Sequence, residues 1–152
     1  MSAAFSYPPV SPSLVVNDGV AALEFYKKAF GAEERYRLID PETGKIGHAE
    51  ITIKGVLMML GEEYADMTKS PKTLHGTSVA FGLMSTDAQA DFERAVNAGA
   101  EVVRPLQDQF YGHCSGRVRD PFGHEWIISE ETEKLSPQEM QRRWDAMVSS
   151  AK

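Results

Sequence analysis

The strongest constraint on this chain is that it repeats itself. "Asn17-Asp18 … Phe25 … Phe30-Gly31-Ala32-Glu33" is echoed by "Thr86-Asp87 … Phe92 … Ala98-Gly99-Ala100-Glu101". Equivalent residues stand roughly 67 to 69 positions apart, a period long enough for one complete supersecondary unit. Caps and closing glycines are common, so any two βα units look somewhat alike. The matching order of the strands that follow argues for a true duplication.

Each half reads strand, helix, then three strands. In the first, Val10–Val16 is apolar and β-branched, and Asn17-Asp18 is a helix cap signal. Ala22, Phe25, Tyr26 and Ala29 fall at i, i+3, i+4 and i+7, the stripe of an amphipathic helix that Gly31 closes. Glu33–Ile39 reads as a strand and Pro41-Glu-Thr-Gly44 as a turn. Ile46–Ile53 alternates, with Ala49, Ile51 and Ile53 on one face and His48, Glu50 and Thr52 on the other. Lys54-Gly55 turns into Val56–Leu60. In the second half, Ser78–Leu83 is a strand and Ser85-Thr86-Asp87 a cap. Ala88, Phe92 and Ala95 form the next stripe, and Glu101–Arg104 a short strand. Arg117–Arg119 is the core of a strand that starts before it. Asp120-Pro-Phe-Gly123 turns into Glu125–Ser129. The stretch Glu62 to Gly76 is the loosest. Beyond it all, Ser136-Pro137-Gln138-Glu139 predicts a capped helix with Met140, Trp144 and Met147 on one face. That stripe covers either this chain's own core or a partner subunit. The expected divisions are 8–64, 76–131 and a C-terminal helix over 132–150.

Composition narrows the partners. The 152 residues carry a formal net charge of −6, which disfavours nucleic acid as the main partner. The start has neither the basic region nor the apolar run of a signal peptide, and no window is long and apolar enough for a membrane helix. One cysteine, Cys114, cannot form an intrachain disulfide. These features predict a cytoplasmic protein with no nucleic-acid or membrane partner.

Several residues belong to a known pattern. "Ser115-Gly-Arg-Val-Arg-Asp-Pro-Phe-Gly-His-Glu-Trp126" resembles the last hairpin of vicinal oxygen chelate proteins, the glyoxalase, bleomycin-resistance and dioxygenase superfamily. "Ile46-Gly-His-Ala-Glu-Ile51", "Leu57-Met-Met-Leu-Gly61" and "Leu135-Ser-Pro-Gln-Glu-Met-Gln-Arg-Arg143" are similar to its PhnB-like branch. The resemblance covers about residues 8 to 143. It implies an α+β fold: two βαβββ modules form curved mixed sheets around a shared cavity, helices on the convex side, with an extra C-terminal helix here. It also implies a homodimer and, in many members, one divalent metal. The family's ligand positions fall on Ser11, Met59, Ser78 and Ile127, none of which suits such a metal. No metal or other cofactor is therefore expected.

Function is then expected from other residues. His48 and Glu50 point the same way from one strand, so the carboxylate can orient the imidazole as a general base. They also form half of a non-standard metal site, to which His113 and His124 are the available additions. Gln107–His113 reads as an aromatic-polar loop of the kind that closes over ligands, with Phe110 and Tyr111 stacking and His113 donating a hydrogen bond. Alternation about Val118 places Arg117 and Arg119 on one face, able to hold an anion or to pair with acidic neighbours, and Glu125 joins them. His124 reads as a structural residue that caps turn carbonyls. Three functions compete, the last of them an interaction module whose terminal helix dominates its role. The first is binding of an aromatic or amphipathic small molecule without the usual metal. The second is a lyase or isomerase of glyoxalase type that uses His48 and Glu50.

Overall fold

A computed structural model describes residues 5–152. The first half contains β1 (Ser13–Val16), α1 (Gly19–Phe30), β2 (Glu33–Ile39), β3 (Ile46–Ile53) and β4 (Val56–Glu62). Asp18 caps α1 by accepting from the Ala21 N–H, and Gly31 ends it at φ 65°. The strands order β1-β4-β3-β2, with β1 and β4 parallel and the other pairs antiparallel. Ala22, Leu23, Phe25, Tyr26 and Ala29 of α1 are buried, as are Ala49, Ile51 and Ile53 of β3. This is the alternation read from the sequence. The first strand is shorter than expected: Val10 is exposed, and pairing begins only after Pro12.

The second half repeats the plan. It has β5 (Ala80–Met84), α3 (Ala88–Ala98), β6 (Glu101–Asp108), β7 (His113–Arg119) and β8 (Glu125–Glu131), ordered β5-β8-β7-β6. Asp87 caps α3 as Asp18 caps α1. Trp126, Val118 and Ile128 are fully buried, and the Trp126 indole N–H donates to Asp120 at 2.9 Å. Two expectations change here. The strand over Glu101–Arg104 runs on to Asp108, because β6 is an edge strand and tolerates the missing N–H of Pro105. The expected loop Gln107–His113 is shorter than read, since Gln107, Asp108 and His113 are strand. Only residues 109–112 turn, closed by bonds from the Gln109 N–H to His113 O and from the Gly112 N–H to Gln109 O.

The stretch between the halves holds a single-turn helix, α2 (Pro71–Leu74). At the C-terminus, α4 (Pro137–Ser150) buries no residue. Trp144 meets Phe110 with ring centroids 5.1 Å apart, while Met147 and Val148 stay exposed. The chain divides into two units. One comprises the residues up to Ser78 with Pro121–His124, the other Val79–Asp120 with Glu125–Lys152. Fold class is α+β, two βαβββ modules with one added C-terminal helix.

Candidate functional site

The polar face of β3 carries the first candidate. Glu50 is 1% exposed, and a carboxylate out of water needs partners. Its Oε1 accepts from the Tyr36 hydroxyl at 2.8 Å and lies 3.3 Å from His48 Nε2. Arg35 Nη1 stands 3.6 Å from Oε2. Arg35 and Tyr36 are consecutive and should point to opposite faces. A bulge allows both to reach Glu50: Glu34 pairs with Ile51 and Tyr36 with Glu50, which leaves Arg35 as the extra residue. Burial pushes the Glu50 carboxyl up, but hydrogen bonds from Tyr36, His48 and Tyr7 outweigh it, and the net shift is downward. Glu50 is therefore ionised at neutral pH. A carboxylate only accepts, so His48 Nε2 is the donor in this contact and Nδ1 is the nitrogen left for other partners. The same Glu50 bond pushes the Tyr36 hydroxyl well above its ordinary value of 10.0.

His48 also borders a cavity of about 310 Å³. Val15, Leu60, Gly61, Tyr64 and Met67 contribute to the same walls. Two glycines keep its floor open. A Cβ on Gly61 would lie 2.7 Å from Gly47 O, and one on Gly47 would meet only the Tyr64 hydroxyl at 3.7 Å. Tyr64 is fixed by its bond to Asp40 Oδ2 at 2.9 Å, which pushes the Tyr64 hydroxyl up and helps hold Asp40 down at about 2.

The second unit carries the other candidates. Val118 is buried, and Arg117 and Arg119 both reach Glu125, at 2.8 and 3.0 Å. Pairing with an acidic neighbour is thus how these arginines are held. Tyr111 OH is 3.0 Å from Ser115 Oγ, and His113 Nδ1 is 2.8 Å from Ser129 Oγ. Phe110 stacks edge-on against Tyr111 and Trp144. His124 Nε2 lies 2.9 Å from Val15 O, a backbone carbonyl outside its own turn. Burial pushes the Cys114 thiol up, with Asp108 and Glu130 adding to the shift, so it is no thiolate nucleophile.

Strand alternation put His48 and Glu50 on one face, and the structure brings them within 3.3 Å, but no sequence signal pointed to Arg35, Tyr36 or Tyr64 beside them. A bulge leaves no period in the sequence, and it decides which way Arg35 points. The structure places His48 and Glu50 together in the first unit. Phe110, Tyr111, His113, Arg117, Arg119 and Glu125 all belong to the second.

The family model of the Glyoxalase/Bleomycin resistance protein/Dioxygenase superfamily matches residues 9–128. The chain belongs to this superfamily. An uncharacterized protein of Mycobacterium tuberculosis is 42% identical over 138 residues, covering 88% of this chain and 81% of the relative. The crystal structure of a gene product from Arabidopsis thaliana is 28% identical with a TM-score of 0.66, over 82% of this chain and 100% of that one. TioX from Micromonospora sp. ML1 is 26% identical with a TM-score of 0.62, over 82% and 99%.

Membership raises the question of the metal. In the first sheet Ser13, Met59, Glu50 and Tyr36 stand in one cross-strand row. In the second the matching row is Gly82, Ile127, Arg117 and Arg104. In the first row Met59 offers a thioether and the Glu50 carboxylate is engaged by Tyr36 and His48; in the second, Ile127 offers nothing and the two guanidiniums repel a cation. Among the described residues no group of three or more His, Cys, Asp or Glu is placed to hold an ion. Neither row by itself supplies the set of His and carboxylate ligands that a divalent metal of this family requires.

Proposed function

We propose that this protein binds a small aromatic or amphipathic organic molecule in the first unit, without the divalent metal that many members of its superfamily hold. The observation that carries this is the cavity of about 310 Å³ beside His48. It lies in the size range of small-ligand sites and mixes apolar walls with a few fixed polar groups, as such sites do. Leu60 and Met67 supply the apolar surface, Tyr64 a ring, and His48 Nδ1 an acceptor for one ligand N–H or O–H. Fluorescence titration with 2-naphthol, a neutral aromatic alcohol, tests it. The wild-type chain should bind saturably, and chelation with EDTA should leave the affinity unchanged. Gly47→Leu fills the floor and should weaken binding by about tenfold or more. A wild-type protein that does not saturate, or a Gly47→Leu variant that binds equally well, sinks the proposal.

One arrangement favours a second reading, an acid–base enzyme of lyase or isomerase type at the same site. Glu50 is bonded to both Tyr36 and His48, so the carboxylate orients the imidazole through Nε2 and leaves Nδ1 for a substrate. General-base catalysis contributes about 10²- to 10⁴-fold. For a substrate that the enzyme turns over, His48→Ala should cost a factor in that range. Unchanged turnover removes this reading.

A further inference from the structure

A second site lies on the other sheet. Arg104 of β6 and Arg117 of β7 are direct cross-strand partners. Residues so paired share a face and stand about 4.5–5.5 Å apart at their Cα atoms, and like charges there are destabilising. The face is the one turned away from α3. A Cβ on Gly116 would meet Phe92 of α3, so Ser115 and Arg117, on either side of it, point the opposite way.

The charges around the pair do not balance it. Glu125 is the carboxylate for Arg117, and it serves Arg119 as well. Glu101, the other acidic neighbour of Arg119, is mostly exposed at 3.6 Å. Arg104 has no carboxylate within ion-pair distance among the described residues. Its recorded bond goes from Nη2 to Ser115 Oγ at 3.1 Å, and its Nε is buried without an acceptor. The Arg117 Nε likewise lacks a well-directed acceptor, despite its 2.8 Å approach to Glu125. Ser115 is itself fully buried and shares its hydroxyl with Tyr111. Ser129, directly opposite Ser115, takes the His113 ring nitrogen. A part-buried guanidinium facing another, flanked by hydroxyls and short of one negative charge, is half of a charge-assisted contact.

We infer that Arg104 and Arg117 together bind an oxyanion carried by a small molecule, a carboxylate or a phosphate group. Planar guanidiniums supply paired donors to either, and Tyr111 and Ser115 add hydroxyls at the edge. The anion removes the repulsion between the two arginines and gives the Arg104 Nε an acceptor. This site is built wholly on the second unit and does not rest on the cavity beside His48.

Calorimetric titration of the full chain with sodium acetate and, separately, inorganic phosphate tests it, in low-salt buffer free of other oxyanions. At least one should bind saturably with one site per chain, and which one binds identifies the group. Arg104→Met keeps the aliphatic stem and should weaken binding by about tenfold or more, while Arg104→Lys recovers part of the loss. Arg35→Met, in the other unit, should bind like wild type, and so should Gly47→Leu. Melting temperatures give an independent reading. In anion-free buffer Arg104→Met should melt at or above wild type, because an uncompensated charge has gone; with the anion the order should reverse. Absence of saturable binding with both anions, equal affinity in Arg104→Met, or a lower melting temperature for that variant without anion would each overturn the inference.

Discussion

At the scale of single residues, Glu50 shows how a buried charge is kept. Removing a carboxylate from water costs several kcal/mol, on the order of what a whole domain retains as stability. Tyr36, His48 and Arg35 surround it at 2.8, 3.3 and 3.6 Å. Burial alone would raise the carboxyl above its ordinary 4.5; the hydrogen bonds, Tyr36 first, bring it below. A folded value below the unfolded one means that ionised Glu50 stabilises the fold above pH 4.5. That stability is lost as pH falls through the lower folded value. Tyr36→Phe deletes the largest opposing donor. We expect a loss of about 1–3 kcal/mol at neutral pH by urea denaturation. With that donor gone the carboxyl should rise toward or past its ordinary value, so the stability gained between acidic and neutral pH should shrink. A Tyr36→Phe variant with the wild-type pH profile would show that the hydroxyl does not hold the charge. Strand alternation alone put His48 and Glu50 on one face. It was silent on Arg35 and Tyr36, whose common direction comes from a bulge, and on Arg104, the last residue of a strand that in fact runs on to Asp108. In both cases sheet pairing, rather than local preference, set the side chain's direction.

At the scale of elements, both helices were legible because each signal was local. A cap, a 3.6-residue stripe and a closing glycine act within a few residues of one another. The C-terminal helix shows where such reading stops. Ser136 accepts from the Glu139 N–H as a capping box requires. Glu139, however, turns to Arg142 and Arg143, at 2.7 and 2.9 Å. Arg143 in turn grips Glu133 at 2.9 Å. An arginine fork outcompetes a lone backbone N–H for a carboxylate. Helix–sheet packing in the second unit hinges on Gly116, where a Cβ would approach the Phe92 ring to 2.5 Å and the Leu106 N to 3.0 Å. The equivalent position in the first sheet is Ala49, fully buried beneath its own helix. Two such similar modules therefore differ by one methyl in how closely helix and sheet approach. Gly116→Ala should cost about 1–3 kcal/mol through forced displacement of α3. Hydrogen exchange should show the loss concentrated in α3 and β7. Wild-type protection of α3 in that variant would mean that the Phe92 ring moves aside freely.

At the scale of the whole molecule, the duplication supplies one scaffold and two chemistries. The same row of the sheet holds Glu50 with Tyr36 in the first unit and Arg117 with Arg104 in the second. Sequence similarity between the halves is carried by caps, helix stripes and turns, the parts that specify folding. The rows that could do chemistry have diverged, which is why repeat analysis found the architecture and not the site. The β7–β8 turn adds a connection that no local signal announces. Residues 121–124 group with the first unit, although the strands on either side belong to the second. Phe122 is buried, with its ring 6.1 Å from that of Phe25 and 6.2 Å from that of Tyr26 in α1. His124 bonds the Val15 carbonyl. The core around α1 is thus completed only by residues that come far later in the chain. Contacts of such high sequence separation carry a large loop-closure cost before they contribute. Phe122→Ala should therefore destabilise the first unit by about 3–5 kcal/mol, the range for removing a buried aromatic ring. The reporter is hydrogen exchange of the α1 amides from Ala22 to Phe30, with those of β8 as the comparison. Protection should fall first and furthest in α1, even though the substitution lies next to β8 in sequence. Loss confined to β8, with α1 unchanged, would mean that the turn serves its own hairpin and that the first core closes without it.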